Sequence, residues 1–255
     1  MLFNTIIATT IACLFTGLGG FLVLFKREYS KAHIDLALNA SAGIMLGAAF
    51  FSLLSPSFVI AHKMAEQSFV YGIYFVFAIA LGAGILWFLN VIIPHTHEQE
   101  VLEENAKVSL KTAVLFVVAI SIHKLPEGLA MGVAYGAGEV INPKSLVIGI
   151  ALQNIPEGLT VAISLVAANY NRYKAALIAT LVGFVQPIGA VIGYLLMSIS
   201  QALLPYGMAL AGSTMLFVII NEMLPETYGG EQNRKSSIAL FLGFIFMSFM
   251  AVILN

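Results

Sequence analysis

Apolar runs of about 20 residues, separated by short polar clusters, dominate the sequence from end to end. A helix rising 1.5 Å per residue needs about that length to cross the hydrocarbon core of a bilayer. The pattern predicts eight membrane-spanning helices, at residues 3–25, 34–61, 69–93, 112–135, 145–168, 174–199, 203–226 and 236–254. Because the linkers are short, we expect residues 1–255 to form a single transmembrane domain, an all-α polytopic membrane protein.

Composition supports this class independently. Hydrophobic residues make up 60% of the chain and charged residues 10%, whereas a soluble domain has roughly 45–50% apolar residues. The first apolar stretch is too long for the core of a signal peptide, so we expect it to be a retained span. Cys13 is the one cysteine, which excludes an intramolecular disulfide and a cysteine-cluster metal site. A net charge of −1 without a basic tract gives nucleic acid no electrostatic basis for binding.

The distribution of basic residues predicts the orientation of the chain, since cytoplasmic connections are enriched in lysine and arginine. With the N-terminus outside, the outer connections carry only Lys63 and Lys144. The cytoplasmic ones then carry Lys26, Arg27, Lys31, Lys107, Lys111, Arg172, Lys174, Arg234 and Lys235. We therefore expect a multi-pass protein of the plasma or inner membrane with both termini outside. The longest connection, residues 94–111, becomes a cytoplasmic loop containing His95, His97 and several glutamates.

A short repeat lies inside two of the apolar runs. HKLPEGLAMGVA begins at His123, and QNIPEGLTVAIS begins at Gln153 thirty positions later. On a helix, His123 and Glu127 share one face about 6 Å apart along the axis, and so do Gln153 and Glu157. A carboxylate at mid-bilayer costs roughly 2.5–3.5 kcal/mol, so such groups usually face a partner, a water-filled cavity or an ion pathway. The spacing and residue types indicate transport of metal cations.

A proline directly precedes the glutamate in each repeat, at Pro126 and Pro156. An internal proline removes a backbone hydrogen bond and kinks a helix. We expect kinked fourth and fifth helices that bring the four polar residues of the repeat toward one point. The alternative is a packing motif in which the glutamates bond to the backbone of neighbouring spans, with Gly128 and Gly158 allowing close approach.

These motifs carry a family resemblance. HKLPEG and QNIPEG in the fourth and fifth spans, with AGIML in the second and NEMLPE in the seventh, resemble the ZIP (Zrt/Irt-like protein) family of divalent metal transporters. The segment PHTH before the long loop is similar to that of the compact prokaryotic members. The resemblance implies eight helices with both termini outside, a metal held between the fourth and fifth helices, and uptake of zinc and related ions into the cytosol.

The principal metal site implied by the resemblance corresponds to His123, Glu127, Gln153 and Glu157. An imidazole and two carboxylates suit a borderline divalent cation, and the amide oxygen adds a weak, hard ligand. Two negative charges around one divalent ion leave the ligand set nearly neutral.

Family members with a second metal resemble one another at three further positions, and this chain departs there with Lys124, Asn154 and Gln186. A lysine ammonium offers no acceptor for a cation. We therefore predict a mononuclear site in which Lys124 stands in for the second cation and can neutralise Glu127 or Glu157. The alternative is a lysine that extends to the membrane interface.

Other polar residues are candidates for a transport pathway. Glu222 and Glu226 lie one turn apart in the seventh span and could relay ions toward the cytoplasm, although Glu226 could equally be solvated at the helix end. His95 and His97 could bind metal transiently, or be solvated loop residues.

The leading prediction is a transporter, not an enzyme, with zinc as the first substrate and iron, manganese, cobalt or cadmium open. No phosphate-cradling motif is present, and no cofactor other than the transported metal is expected. Expected partners are the metal ion and membrane lipid, with a homodimer possible. One alternative is an intramembrane metalloenzyme using metal-activated water, but the chain lacks the HExxH pattern of zinc peptidases. Another is a metal-sensing membrane subunit without transport.

Overall fold

The computed structural model describes residues 2–26, 29–93, 109–138, 142–225 and 233–254. All elements in these ranges are helical, and eight helices are long and apolar enough to span a membrane. They are α1 (Leu2–Leu24), α2 (Ala32–Ala65), α3 (Phe69–Ile92), α4 (Leu110–Gly136), α5 (Lys144–Ala167), α6 (Arg172–Ile199), α7 (Gln201–Met223) and α8 (Arg234–Leu254). The predicted fold class is confirmed, and the predicted bounds agree with these within a few residues.

Local irregularities occur within α6, α2 and α7. A turn at Phe184 divides α6 into Arg172–Gly183 and Val185–Ile199. In α2 the segment Ala48–Leu54, and in α7 the segment Ile219–Met223, have the wider π-helical turn, which is frequent at functional sites. By contrast, α4 and α5 continue as helices through Pro126 and Pro156. A kink at these two prolines stays a prediction.

Glycines bring helix pairs into backbone contact. A side chain at any of several glycines would collide with a backbone carbonyl of the neighbouring helix. These glycines are Gly19 and Gly158 between α1 and α5, Gly128, Gly132, Gly189 and Gly193 between α4 and α6, Gly43 and Gly243 between α2 and α8, and Gly82 between α3 and α7. Small residues serve this role in membranes because helix association there depends on close van der Waals packing.

These contacts arrange the helices in two groups. Gly20 packs against Ala179, and Gly183 against Cys13, so α1 also contacts α6. We call α1, α4, α5 and α6 the first bundle. Gly212 of α7 packs against Leu53 and Leu54 of α2, which links the two remaining pairs. We call α2, α3, α7 and α8 the second bundle.

The largest apolar core lies where the two bundles meet. It includes Met131 of α4, Ile150 of α5, Met45 of α2 and Met215 of α7, all nearly or fully buried. The polar residues of the repeat lie near the middle of α4 and α5. The candidate site is therefore at mid-depth, beside the contact between the bundles.

The contact between α1 and α5 gives a first testable prediction. We expect Gly19→Ala to destabilise the protein by at least about 1–3 kcal/mol, the range measured for overpacked cores, because the new methyl group would meet the carbonyl of Ile155. Thermal unfolding of the purified protein in detergent measures this effect. Gly84→Ala in α3 is the matched control, since apart from the adjoining backbone of α3 itself no described atom lies within 4 Å of its added methyl position. Equal unfolding temperatures for the two variants would contradict the close packing of α1 on α5.

Candidate metal site

The ammonium of Lys124 lies between the two glutamates of the repeat. Its Nζ donates to Oε2 of Glu127 at 2.9 Å and to Oδ1 of Asn154 at 2.6 Å. It also donates to Oε2 of Glu157. Lys124 is fully buried, and both carboxylates are almost completely so. The lysine thus extends into the first bundle rather than to the membrane interface, and one ammonium links the carboxylates of α4 and α5.

Amide side chains complete this buried network. Nε2 of Gln186 donates to Oε2 of Glu127 at 2.5 Å. Nδ2 of Asn154 donates to Oε1 of Gln186 at 2.9 Å and to the carbonyl of Ala12 at 2.8 Å. The network therefore joins all four helices of the first bundle. The three residues at the departing positions, Lys124, Asn154 and Gln186, lie in hydrogen-bond contact with one another through Asn154.

Local packing explains how these side chains meet. Gly128, the residue after Glu127, lies against the backbone of Gln186. Gly158, the residue after Glu157, lies against the backbone of Thr16. Each PEG sequence thus places its carboxylate beside a helix contact that only glycine permits, which holds the acids at fixed positions within the bundle.

Gln153, the third of the predicted ligands, has a buried side-chain amide that is not part of this hydrogen-bonded network. Its side chain is fully buried, yet neither Oε1 nor Nε2 has a hydrogen-bond partner among the residues that the structure describes. Its backbone carbonyl accepts a hydrogen bond from Oγ of Ser41 in α2 at 3.4 Å. Leaving a buried amide unpaired costs roughly 1–3 kcal/mol, so these two atoms call for a further partner such as a water molecule or an ion.

His123 faces the second bundle. Its Nε2 lies 2.5 Å from Oε2 of Glu222 in α7. The other carboxylate oxygen of Glu222 accepts a hydrogen bond from Nδ2 of Asn90 in α3 at 2.6 Å. Glu222 is 5% exposed and belongs to the π-helical segment of α7. Three helices from both bundles thus contribute to one hydrogen-bonded chain.

Sequence reasoning did not single out Asn90. The sequence does indicate this residue, because Asn90 is an amide in the otherwise apolar run GILWFLNVII. Burying a polar group in a membrane span costs free energy, so such groups usually have a partner. What the sequence does not give is the partner, since the contact joins residues 132 positions apart.

The predicted ligands are brought near one another but not into a finished coordination shell. Within the described ranges, no three His, Cys, Asp or Glu side chains form a cluster able to hold a metal ion. Glu127 and Glu157 converge on Lys124, while His123 contacts Glu222. Three predicted pathway residues, Glu226, His95 and His97, lie outside the described residues.

The charge of the cluster indicates what it can bind. Lys124 contributes one positive charge against the two negative charges of Glu127 and Glu157. Buried charges are tolerated when they are paired, and here one negative charge remains in excess. A divalent cation that displaced the ammonium from the two carboxylates would be attracted by both of them.

Comparisons with known proteins identify relatives of the chain. The family model described as ZIP Zinc transporter matches residues 94–251. The Zinc transporter GufA of Myxococcus xanthus is 35% identical over 240 residues, covering 94% of each chain. The Zinc transporter ZIPB of Bordetella bronchiseptica is 32% identical, covering 92% of this chain and 76% of the relative. The Zinc transporter ZupT of Chlorobium limicola is 31% identical, covering 95% of each chain.

Proposed function

The chain belongs to the ZIP zinc transporter family, and we propose from this premise that it carries zinc across the membrane into the cytosol through a site for one ion. Relatives that cover nearly the whole chain are named as zinc transporters, which indicates a transporter rather than an enzyme. Iron, manganese, cobalt and cadmium are further candidate substrates, because carboxylates, one amide and one imidazole accept several divalent ions.

The proposed ligands are His123, Glu127, Gln153 and Glu157. The observation that carries the proposal is the pair of buried carboxylates from α4 and α5 that share one cation, the Lys124 ammonium. A protein interior that holds two carboxylates around a monovalent cation has the charge to hold a divalent one. The Gln153 amide supports the same conclusion. Its oxygen accepts no hydrogen bond from the described residues, so its lone pairs are available to a metal ion.

Binding of the ion requires Lys124 to release at least one carboxylate. The Lys124 ammonium still donates a hydrogen bond to Asn154. The ammonium can therefore remain buried when only one of the two carboxylates pairs with it. Because its ammonium is positively charged and has no acceptor, Lys124 repels a second divalent ion and cannot coordinate it at the position formed with Asn154 and Gln186. These three residues therefore give the site a capacity of one ion.

We propose that Glu222 lies on the pathway of the ion, directly beside His123. Glu226, His95 and His97 are the proposed continuation on the cytoplasmic side. The orientation with both termini outside, the homodimer and the contact of exposed apolar faces with lipid remain proposals. Large apolar side chains exposed on α3 and α8, such as Phe77, Trp87, Phe241 and Phe249, support the contact with lipid.

Flux measurement tests the function directly. The purified protein is reconstituted into liposomes that enclose a zinc-sensitive fluorophore, and external zinc is added. We expect saturable zinc influx that exceeds leakage into protein-free liposomes. Zinc binding by the purified protein without influx would instead identify a metal-sensing subunit, and hydrolysis of an added substrate would favour the metalloenzyme.

The amide ligand gives a prediction about selectivity. We expect Gln153→His to raise the ratio of zinc to manganese uptake, roughly several-fold, because imidazole suits zinc better than it suits manganese. Gln153→Ala should have a milder effect than loss of a carboxylate, since water can replace an amide oxygen. Competition uptake in the same liposomes measures the ratio. An unchanged or reversed ratio for Gln153→His would count against Gln153 as a ligand.

A further inference from the structure

Asn90, Glu222 and His123 form a chain of hydrogen bonds that ends on a proposed metal ligand. The two oxygens of the Glu222 carboxylate have different partners, Oε1 with Asn90 and Oε2 with His123. Both Glu222 and His123 are largely shielded from solvent, with side chains 7% and 12% exposed. The amide of Asn90 therefore fixes the direction in which the carboxylate meets the imidazole.

The contact determines which imidazole nitrogen remains for metal. A neutral imidazole has one N–H donor and one nitrogen with a free lone pair. If Nε2–H donates to Glu222, the lone pair is on Nδ1. Metal-binding histidines commonly donate their other ring N–H to a carboxylate, which fixes the tautomer and strengthens the ligand.

We infer that Glu222 is the orienting carboxylate of His123, that Asn90 holds this carboxylate in place, and that His123 binds the transported ion through Nδ1. Glu222 and Asn90 are thus positioning residues contributed by the second bundle to a site whose ligands all lie in the first. The inference rests on the proposed function, because it takes His123 as a ligand.

A positioning role and a pathway role for Glu222 differ in a measurable way. A positioning residue raises the equilibrium affinity of the site, because it strengthens a ligand of the bound ion. A residue that only binds the ion later on the pathway changes the maximal rate of transport. It leaves the zinc affinity of the first site unchanged. Equilibrium binding to the purified protein in detergent separates the two, since no flux takes place in that experiment.

The first experiment measures zinc affinity in Glu222→Gln and Asn90→Ala. We expect each variant to bind zinc about 10–100-fold more weakly, the usual effect of losing the partner of a metal-binding histidine. The two changes together should cost little more than the larger single change, because Asn90 acts through Glu222. Zinc affinities equal to that of the unmodified protein, even with a reduced transport rate, would overturn the inference.

Two matched controls isolate the effect. Glu66→Gln removes a carboxylate that also pairs with a histidine, His62, at 3.7 Å, but at an exposed position. Asn39→Ala removes a buried amide in α2 whose Nδ2 donates to the carbonyl of Asp35 at 2.6 Å. Both should retain the original zinc affinity. If Glu222→Gln does not fold, Asn90→Ala still tests the inference, because it leaves Glu222 and His123 themselves unchanged.

The second experiment identifies the coordinating nitrogen. With ¹¹³Cd²⁺ bound to protein labelled with ¹⁵N-histidine, we expect scalar coupling between cadmium and Nδ1 of His123, and a proton on Nε2. Coupling to Nε2 would overturn the inference. His123→Ala distinguishes this failure from failure of the proposed function. If His123→Ala binds zinc normally, the ligand set is wrong, whereas if it loses affinity and Glu222→Gln does not, only the inference fails.

Discussion

Glu127→Ala and Glu157→Ala should each abolish saturable zinc uptake, to the level of protein-free liposomes, while the protein still reaches the membrane. The reason is the charge of the buried cluster. The two carboxylates exceed the Lys124 ammonium by one negative charge. After loss of either glutamate, the remaining carboxylate is neutralised by the ammonium, so the Lys124 cluster keeps no excess negative charge and the ion loses one of its two proposed carboxylate ligands.

Uptake into reconstituted liposomes and membrane abundance should be measured together, so that loss of transport is separated from loss of protein. Glu66→Ala is the control, because Glu66 is an exposed acid in contact with His62 and outside the cluster. Wild-type transport rates in either cluster variant would refute the assigned site. Glu127→Gln and Glu157→Gln should be similarly inactive, since they keep the shape of the side chain and remove the charge.

The ion count of the double variant Lys124→Asn with Gln186→Glu should rise from one to two. Lys124→Asn removes a positive charge and Gln186→Glu adds a negative one, so the cluster becomes more negative by two charges. The new carboxylate would replace an amide that now donates to both Glu127 and Asn154. A second divalent ion then finds oxygen ligands and compensating charge where the ammonium had been.

The same double variant should be unstable without metal. Removing one partner of a buried ion pair typically costs about 3–5 kcal/mol, and here carboxylates would also repel one another. We expect a markedly lower unfolding temperature that zinc restores. Equilibrium binding or anomalous scattering counts the ions. The control Lys63→Asn with Gln201→Glu makes the same charge change at two exposed positions and should leave the count at one. Two ions in the unmodified protein, or one in the double variant, would contradict the assignment of Lys124.

The amino-acid sequence is sufficient to predict the membrane spans. Each apolar run is bounded by charged or polar residues, and the bilayer sets the length of helix required. The sequence also indicates the polar residues of the repeat, because His123, Lys124 and Glu127 interrupt a run that otherwise consists of apolar and small residues. The contact of the Lys124 ammonium with Glu127 follows from their spacing of three residues, which places them on one face of α4.

Helix pairing could not be predicted in the same way. In a membrane helix such as α1, small residues such as Thr9, Thr16 and Gly20 can indicate the face that packs, but they do not indicate which helix packs on it. The contact of Gly19 with the carbonyl of Ile155 is consequently invisible in the sequence. The contact between His123 and Glu222, and the part of Asn90 in it, depend on this pairing. So does the convergence of Glu127 and Glu157 on Lys124.

The pairing of distant helices has a consequence for biosynthesis. Chains emerge from the ribosome N-terminus first, and units assemble as their parts become available. The first bundle has all its members once α6 is inserted. In contrast, Gly43 of α2 can pack against Leu240 only after α8 has been synthesised. Gly82 of α3 can pack against Leu210 only after α7 has been synthesised. During synthesis, α2 and α3 are therefore in the bilayer before the helices that pack against Gly43 and Gly82 are present. A chain that stops after α6 would leave both glycines exposed to lipid or to quality-control factors.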